Sequence, residues 1–402
     1  IQMKILQVTN KVPYPIKDGG AIACMNLTRG FSLNGHKITV LAMNTRKHHI
    51  VYGELPESIT DLAEFRLVEV PAPISKIAAL KNFIFSRKPY NAVRFISEPF
   101  KKELKKILLK KKFDIVQLEG LYVCPYIPVI RKYSGAKIVY RAHNIEHEIW
   151  ERTAAMSNGW ERIYFRNLAK RIKKFEKKWL NLYDLLVPIT ERDGKILDDL
   201  GNTKPKFVSQ TGIDSSVLIP NSKKLKHPTL FHIGSLEWTP NQEGLLWFLE
   251  HCWTAVQQRF PELKFYIAGR NAPAWFQKKL DLPNIIFEGE VPDAYDFINS
   301  KSIMVVPLFS GSGMRIKIIE GMALGKPIVT TSVGTEGIST TDGENIVIAE
   351  TAEKFVESIS RLIEDRDFFE KIGRNAIEYI HEKFDNLAAS AALIEFYKQH
   401  TG

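Results

Sequence analysis

Apolar residues recur along this chain in two rhythms. The first is the short, nearly unbroken run. Lys4–Thr9, His36–Met43, Glu64–Val70, Asp114–Leu118, Lys137–Ala142, Leu185–Pro188 and the shorter Lys206–Val208 read this way in the first half. Thr229–Ile233, Lys264–Ala268, Ile285–Glu288, Ile303–Pro307 and Pro327–Thr330 repeat it in the second. Runs rich in branched residues and bounded by turn signals predict buried parallel strands. The second rhythm has helical spacing. It predicts helices over Ala21–Leu33, Ile74–Ser86, 101–112, 161–179, Thr190–Gly201, Pro240–Arg259 and Arg315–Leu324. Two more helices fall within Thr351–Phe384, and a last one spans Asn386–His400. Strands alternating with helices, twice over, predict an α/β protein of two Rossmann-like domains. The boundary is placed before Gln210–Asp214, giving residues 1–208, residues 209–385, and a terminal helix over 386–402.

Composition narrows the class. The chain has 402 residues, 45% hydrophobic and 25% charged, enough for two ordinary globular domains. No apolar run approaches the length of a membrane span. The start of the sequence carries no signal pattern, because a strand begins at once after Met3. Cys24, Cys124 and Cys252 are far apart and odd in number, which argues for a reducing compartment and against structural zinc. A cytoplasmic location follows as an expectation, at the inner face of the membrane if the basic helices described next meet lipid.

The net charge of +11 is not spread evenly. Residues 101–112 read KKELKKILLKKK, and 161–179 holds Arg162, Arg166, Lys170, Arg171, Lys173, Lys174, Lys177 and Lys178. Both stretches interleave charge with apolar residues at helical spacing. Such helices seat on an anionic membrane surface or form an ordinary solvated face. Nucleic acid is not expected as a partner, since no recognised binding module accompanies the charge.

The densest chemistry lies in Ile303–Ile338, a strand, glycine turn, helix and strand in succession. The turn is Ser310-Gly311-Ser312-Gly313. In such a unit the turn's N–H groups and the positive helix end lie beyond the strand ends, where phosphate binds. Arg315 and Lys317 supply positive charge for a diphosphate. Glu320 sits mid-helix among Ile318, Ile319, Met322 and Ala323, and a carboxylate there needs a partner. One reading gives it the hydroxyls of a ribose; the other pairs it with Lys317 or Lys326.

The segment Gly311–Thr331, GSGMRIKIIEGMALGKPIVTT, resembles the donor-site signature of the GT-B glycosyltransferases of family GT4. The resemblance covers nearly the whole chain, strongly here and weakly over Tyr52–Asn91. It implies two Rossmann-like domains facing across a cleft, with the last helix crossing back to the N-terminal domain. It implies transfer of a sugar from a UDP- or GDP-linked donor to an acceptor hydroxyl, with retention of anomeric configuration and without a metal or other cofactor. The family carries two Glu eight positions apart; Glu320 matches the second, and Ser312 stands in place of the first. Gly313, Met314 and Arg315, with Lys317, are then the donors and cations beside the phosphates. Gly19 and Gly20 match the family's Gly-Gly turn near the donor phosphates. His143, in Arg-Ala-His-Asn, matches the His that faces the donor sugar. Glu290 and Val291 match the turn that holds the base.

Two further departures stand out. Thr211 replaces Asn in the hinge segment. The cations that often follow the first strand of the second domain are absent, since the chain there reads Gly234-Ser235-Leu236-Glu237-Trp238. Arg315 and Lys317, expected on the opposite side of the site, are assigned the missing charge. The acceptor implied is a sugar or a lipid-linked sugar of a bacterial polysaccharide, glycolipid or lipopolysaccharide pathway. Two other functions remain open on this fold: an NDP-sugar epimerase, and a non-catalytic nucleotide-sugar-binding protein. His143-x-x-x-His147 lacks a third metal ligand, and Asp365-x-Asp367 lies between two helices, where capping accounts for it.

Overall fold

Twelve strands form two parallel sheets in a computed structural model that describes every residue except Ile1, Lys17, Thr211, Ser215, Ser216, Ser312, Gly313 and Gly402. The expectations placed on Thr211, Ser312 and Gly313 therefore lie outside the described residues. The first sheet contains β1 (Lys4–Thr9), β2 (Lys37–Asn44), β3 (Glu64–Glu69), β4 (Ile115–Glu119), β5 (Lys137–Ala142) and β6 (Leu185–Pro188). Its order is β3-β2-β1-β4-β5-β6. The second contains β7 (Leu230–Ile233), β8 (Phe265–Ala268), β9 (Ile285–Gly289), β10 (Ile303–Val306), β11 (Ile328–Thr330) and β12 (Val347–Ile348), ordered β12-β11-β10-β7-β8-β9. Each order reverses between its first and fourth strands, as in a Rossmann fold. Ligands of such sheets bind beyond the strand ends at that reversal. The two Rossmann-like sheets expected from the sequence are both present.

The chain divides into two units, residues 1–212 with 386–402, and residues 213–385. In the first unit the helices used below are α1 (Gly19–Leu33), α2 (Lys76–Phe85), α3 (Glu98–Lys110), α4 (Glu146–Met156) and α5 (Gly159–Trp179). In the second they are α6 (Thr239–Phe248), α7 (Ala294–Ser300) and α8 (Ile316–Ala323). The last helix, α9 (Asn386–Thr401), returns to the first unit. Apolar side chains cover both faces of the first sheet. Val8, Phe100, Leu104 and Ile172 belong to one cluster, and Ile5, Phe31, Val40 and Leu393 to the other. Leu230, Phe248, Phe265 and Val305 are in the core of the second unit.

The return of α9 depends on small residues. A Cβ added at Gly30 of α1 would lie 2.3 Å from the Ser390 hydroxyl, so only glycine admits this approach. Asn34 donates to Ser390 Oγ at 3.0 Å, and the Phe31 and Tyr397 rings lie 6.2 Å apart.

Several local expectations need correcting. Gly19 and Gly20 do not form a turn; they open α1, because the Asp18 carboxylate accepts from Ala21 N at 2.9 Å and caps the helix there. Lys206 makes only an isolated bridge to Leu186 rather than a strand. The long helix expected to Arg259 is interrupted by a π-turn at Leu249–Trp253. The capping reading of Asp365 holds: it accepts from Phe368 N at 2.9 Å.

Candidate functional site

In the second unit, β10 is completely buried, and the chain leaves it through Pro307 towards Gly311. Helix α8 starts one residue later than the apolar spacing suggests. Arg315 is its N-cap with φ −88° and ψ 84°, and no side chain caps it. Met314 therefore precedes the helix. Gly311 has φ +112°, and a Cβ there would lie 2.9 Å from the Trp238 ring and 3.1 Å from Arg315 Nη2. Glycine is required on both counts.

Arg315 and Lys317 do not sit opposite the Gly234–Asn241 segment. They lie against it. The Arg315 guanidinium is 5.6 Å from the Trp238 ring centroid, and Lys317 Nζ donates to Asn241 Oδ1 at 2.6 Å. Asn241 is fixed in turn by donating to the Ser235 carbonyl at 2.8 Å. Lys317 Nζ is also 3.3 Å from His232 Nε2. His232 Nδ1 faces the Val305 carbonyl at 2.8 Å, which makes Nδ1 the donor and leaves Nε2 as acceptor for the lysine. Burial holds the Lys317 ammonium well below its ordinary pKa, and the Arg315 charge adds to the effect. His232 is likewise pushed well down by burial and by Lys317. The Gly234 backbone closes this cluster, since a Cβ there would stand 3.3 Å from Lys317 Nζ.

Glu320 lies one turn along α8. Neither lysine considered for it is its hydrogen-bond partner: Lys317 turns to Asn241, and Lys326 donates to the Asn299 carbonyl at 3.1 Å. Glu320 Oε1 accepts instead from the Tyr295 hydroxyl of α7 at 3.1 Å. Burial raises the carboxyl pKa to about 7, with the Tyr295 hydrogen bond opposing. Glu290 and Val291 follow Gly289 at the end of β9, at the sheet edge, Glu290 exposed and Val291 half-buried.

The first unit holds a second constellation, also at a strand-order reversal. Thr9 and Glu119 are paired at the ends of β1 and β4. Glu119 Oε2 accepts from Arg141 Nη1 at 3.2 Å and faces His143 Nε2 at 2.6 Å. Its Oε1 accepts from Gln7 Nε2 at 3.3 Å and from Gln117 Nε2. Burial alone would raise this carboxyl, but the Arg141 charge and the bonds from His143 and Gln117 bring it down to about 2. Burial pushes the His143 imidazole down; Arg141 and Lys11 add to that, and Glu119 opposes it. A neutral His143 beside an ionised Glu119 must donate from Nε2, which leaves Nδ1 as an acceptor. Gly20 lies near Lys11, whose amine pairs with Asp18.

Thus Gly234, Ser235, Arg315 and Lys317 come together, and Glu320 stands close by on the same helix. His143, Gly19 and Gly20 belong to the other unit. Sequence reasoning missed His232, Trp238, Asn241 and Tyr295 as site residues. The one signal for His232 was a lone imidazole in an otherwise apolar strand. A separate depression in the first unit, lined by Asn44, His49, Arg66 and Glu69, holds none of the expected residues.

Residues 227–365 match the sequence model of the family described as Glycosyl transferases group 1. The chain is 23% identical to an uncharacterised 44.6 kDa protein of the cps region of Klebsiella pneumoniae, over 95% of this chain and 97% of that one. It is 30% identical over 106 residues to CapM of Staphylococcus aureus, a capsular polysaccharide biosynthesis glycosyltransferase, spanning 26% of this chain and 28% of CapM. Among solved structures, sucrose-phosphate synthase from Thermosynechococcus elongatus is similar with a TM-score of 0.74 at 15% identity, over 99% of both chains. HepE of Anabaena, solved in complex with UDP and glucose, gives 0.68 at 13% identity over 99% of this chain and 100% of that one. With this match over most of the second unit, and with each unit folded as a Rossmann-like sheet as in these GT-B neighbours, the chain is a GT-B-fold glycosyltransferase whose residues 227–365 carry the group 1 (GT4) signature.

Proposed function

We propose that this glycosyltransferase moves a hexose from a UDP-linked donor to an acceptor hydroxyl in bacterial surface polysaccharide synthesis, with retention of configuration. The observation that carries the reading is the buried pair Arg315 and Lys317 at the β7–β10 reversal, held against Trp238 and Asn241. Two cations side by side in a dry site repel each other and are stabilised by a dianion. A leaving diphosphate is such a group, and fixed charge beside it lowers the barrier. The Gly234–Ser235 backbone, together with residues Ser312, Gly313 and Met314, completes the phosphate contacts. Glu320 accepts from the ribose hydroxyls, beside Tyr295. Glu290 and Val291 hold the base. His143 Nδ1 accepts from a hydroxyl of the donor sugar, and Gly19 and Gly20 border the phosphates. The protein's own cations replace the metal that other transferases need. The acceptor is a sugar or a lipid-linked sugar, and the basic stretches of the first unit meet an anionic membrane face. UDP as leaving group is supported by the complex of HepE with UDP and glucose, and the pathway by CapM and the cps-region relative.

The test is a melting-temperature panel with UDP, GDP, ADP and their sugar conjugates. A ligand of the folded state raises the melting point by mass action. UDP should stand out, and its effect should vanish in Glu320→Ala. No shift from any nucleotide would overturn the reading. Product analysis with donor alone separates transfer from epimerisation, because an epimerase rearranges the sugar without an acceptor.

A further inference from the structure

Helix α2 is inside out for a water-soluble surface. Its inner face, with Asn82 and Phe83, meets α5: the Phe83 ring packs edge-on against Trp160 at 5.9 Å and contacts Tyr164 at 5.6 Å. Arg171 Nη2 donates to the Phe83 carbonyl at 2.8 Å and Nη1 to that of Asn82 at 3.2 Å. A cation from α5 thus binds the carbonyl end of α2 and fixes the pair. The outer face of α2 is Ile77, Leu80, Lys81, Ile84 and Phe85, all exposed, with Ile77 at 71% and Phe85 at 85%. Trp160 and Ile163 of α5 are also exposed, at 62% and 55%. An ordinary surface helix turns its polar side to water. A cluster of exposed aliphatic and aromatic residues on two packed helices marks an interaction surface.

The surrounding charge says what covers it. Between Glu69 and Glu98 the sequence has no acidic residue. Lys81, Arg87 and Lys88 are exposed within that span. Between Glu161 and Glu176 there is again no acidic residue, and Arg166, Lys170 and Lys174 form an exposed stripe along α5. The Lys-rich α3 differs. Phe100, Leu104, Ile107 and Leu108 are buried there, and of its larger apolar residues Leu109 is the exposed one.

We infer that α2 and the first turns of α5 form a docking surface for an anionic lipid bilayer. Ile77, Leu80, Ile84, Phe85, Trp160 and Ile163 enter the boundary between headgroups and acyl chains. Lys81, Arg87, Lys88, Arg166, Lys170 and Lys174 meet the headgroups. Apolar burial and positive charge together are what a monotopic surface needs. A second copy of the chain fits less well, since a two-fold contact through this face would bring cations against the same cations. The inference rests on the proposed membrane contact, but of its two basic stretches it keeps α5, drops the Lys-rich α3 and adds α2.

The experiment is flotation of the full chain with phosphatidylcholine vesicles, with and without phosphatidylglycerol, alongside sedimentation to read oligomeric state. The wild type should float with the anionic vesicles and stay behind with the neutral ones. The variant Ile77→Ser/Ile84→Ser/Phe85→Ser should lose at least about tenfold in binding, since three buried apolar side chains are removed from the bilayer. Arg166→Gln/Lys170→Gln/Lys174→Gln should also lose binding. Lys101→Gln/Lys105→Gln/Lys106→Gln on α3 should bind like wild type. An unchanged UDP melting shift in each variant shows that the fold is intact. If the wild type ignores anionic vesicles, the membrane contact itself fails. If the serine variant floats normally while the α3 variant does not, the contact stands and this surface is wrong. If the wild type is a dimer that the serine variant dissociates, the face binds a second copy and the inference is overturned.

Discussion

Each unit buries ionisable groups close to the strand-order reversal of its sheet, and the two treat them in opposite ways. Glu119 has four donors: Gln7, Gln117, Arg141 and His143. Its charge is compensated, and its pKa is held down to about 2. Glu320 is bonded to Tyr295, and its pKa is driven up to about 7. Lys317, three residues before it, bonds to an amide oxygen and a neutral imidazole, with no carboxylate hydrogen-bonded to it among the described residues. The first constellation is electrically closed, and the second is not. A buried charge that the protein leaves uncompensated destabilises the empty fold, and it is retained where a ligand supplies the missing partner. Under the proposed function, the first unit's network is a brace that aims His143, and the second unit's cluster is the receptor.

The largest test of this contrast is Glu119→Ala. It leaves Arg141, whose side chain is 1% exposed, without its counter-charge. Removing one partner of a buried ion pair costs about 3–5 kcal/mol. Denaturant unfolding should show that loss; a change well under 1 kcal/mol would mean the network is no brace. Next comes the receptor. Arg315→Ala and Lys317→Ala should each cut turnover by about 10²–10³, the usual effect of removing one preorganised electrostatic contact. Lys317→Ala should not lower stability much, because it removes a desolvated cation near another cation. Near wild-type rates in both variants would sink the diphosphate assignment.

The pH dependence of stability separates the two carboxylates by sign. The Glu119 pKa is lower in the folded state than its ordinary 4.5, at about 2. Its contribution is present above 4.5 and is lost as pH falls through about 2. The Glu320 pKa is higher in the folded state, at about 7 against 4.5. Its contribution is present below 4.5 and is lost as pH rises through about 7. Glu320→Gln should flatten the stability curve between those two pH values, by roughly 1–3 kcal/mol. UDP should partly flatten it in the wild type too, because ribose hydroxyls would favour the ionised carboxylate. If the slope survives the substitution, another group titrates there.

How much of this could be read from sequence follows from the range of each interaction. The strands were legible because each is a local apolar run, and Lys4–Thr9, Lys137–Ala142 and Leu185–Pro188 are found with the expected bounds. β12 escaped because two residues make no pattern. Arg315, Lys317 and Glu320 were visible because they share one strand–loop–helix unit. Their partners were not, since His232 and Asn241 are 85 and 76 positions from Lys317. Pro240-Asn241 signalled a helix start and nothing more. Glu119 ended a predicted strand, but nothing local told that Arg141, 22 positions on, would neutralise it. The Gly19-Gly20 pair looked like a turn because glycine punctuates turns, while the Asp18 cap that starts α1 carried the deciding information.

The smallest predicted effect probes how far the brace extends. The Tyr397 hydroxyl of α9 donates to Gln117 Oε1 at 2.6 Å, and Gln117 donates onward to Glu119. The last helix is thus linked to His143 through three hydrogen bonds in series. Tyr397 is completely buried, so its hydroxyl would cost free energy without that acceptor. Tyr397→Phe keeps the ring against Phe31 and removes only the donor. It leaves the Gln117 oxygen unsatisfied and should cost about 1–2 kcal/mol. If the brace acts on His143, the substitution should also shift the His143 titration in NMR, while Phe31→Leu, which disturbs α9 without touching the network, should not. A stability loss in both variants with no change in the His143 titration would confine α9 to packing and end the brace at Gln117.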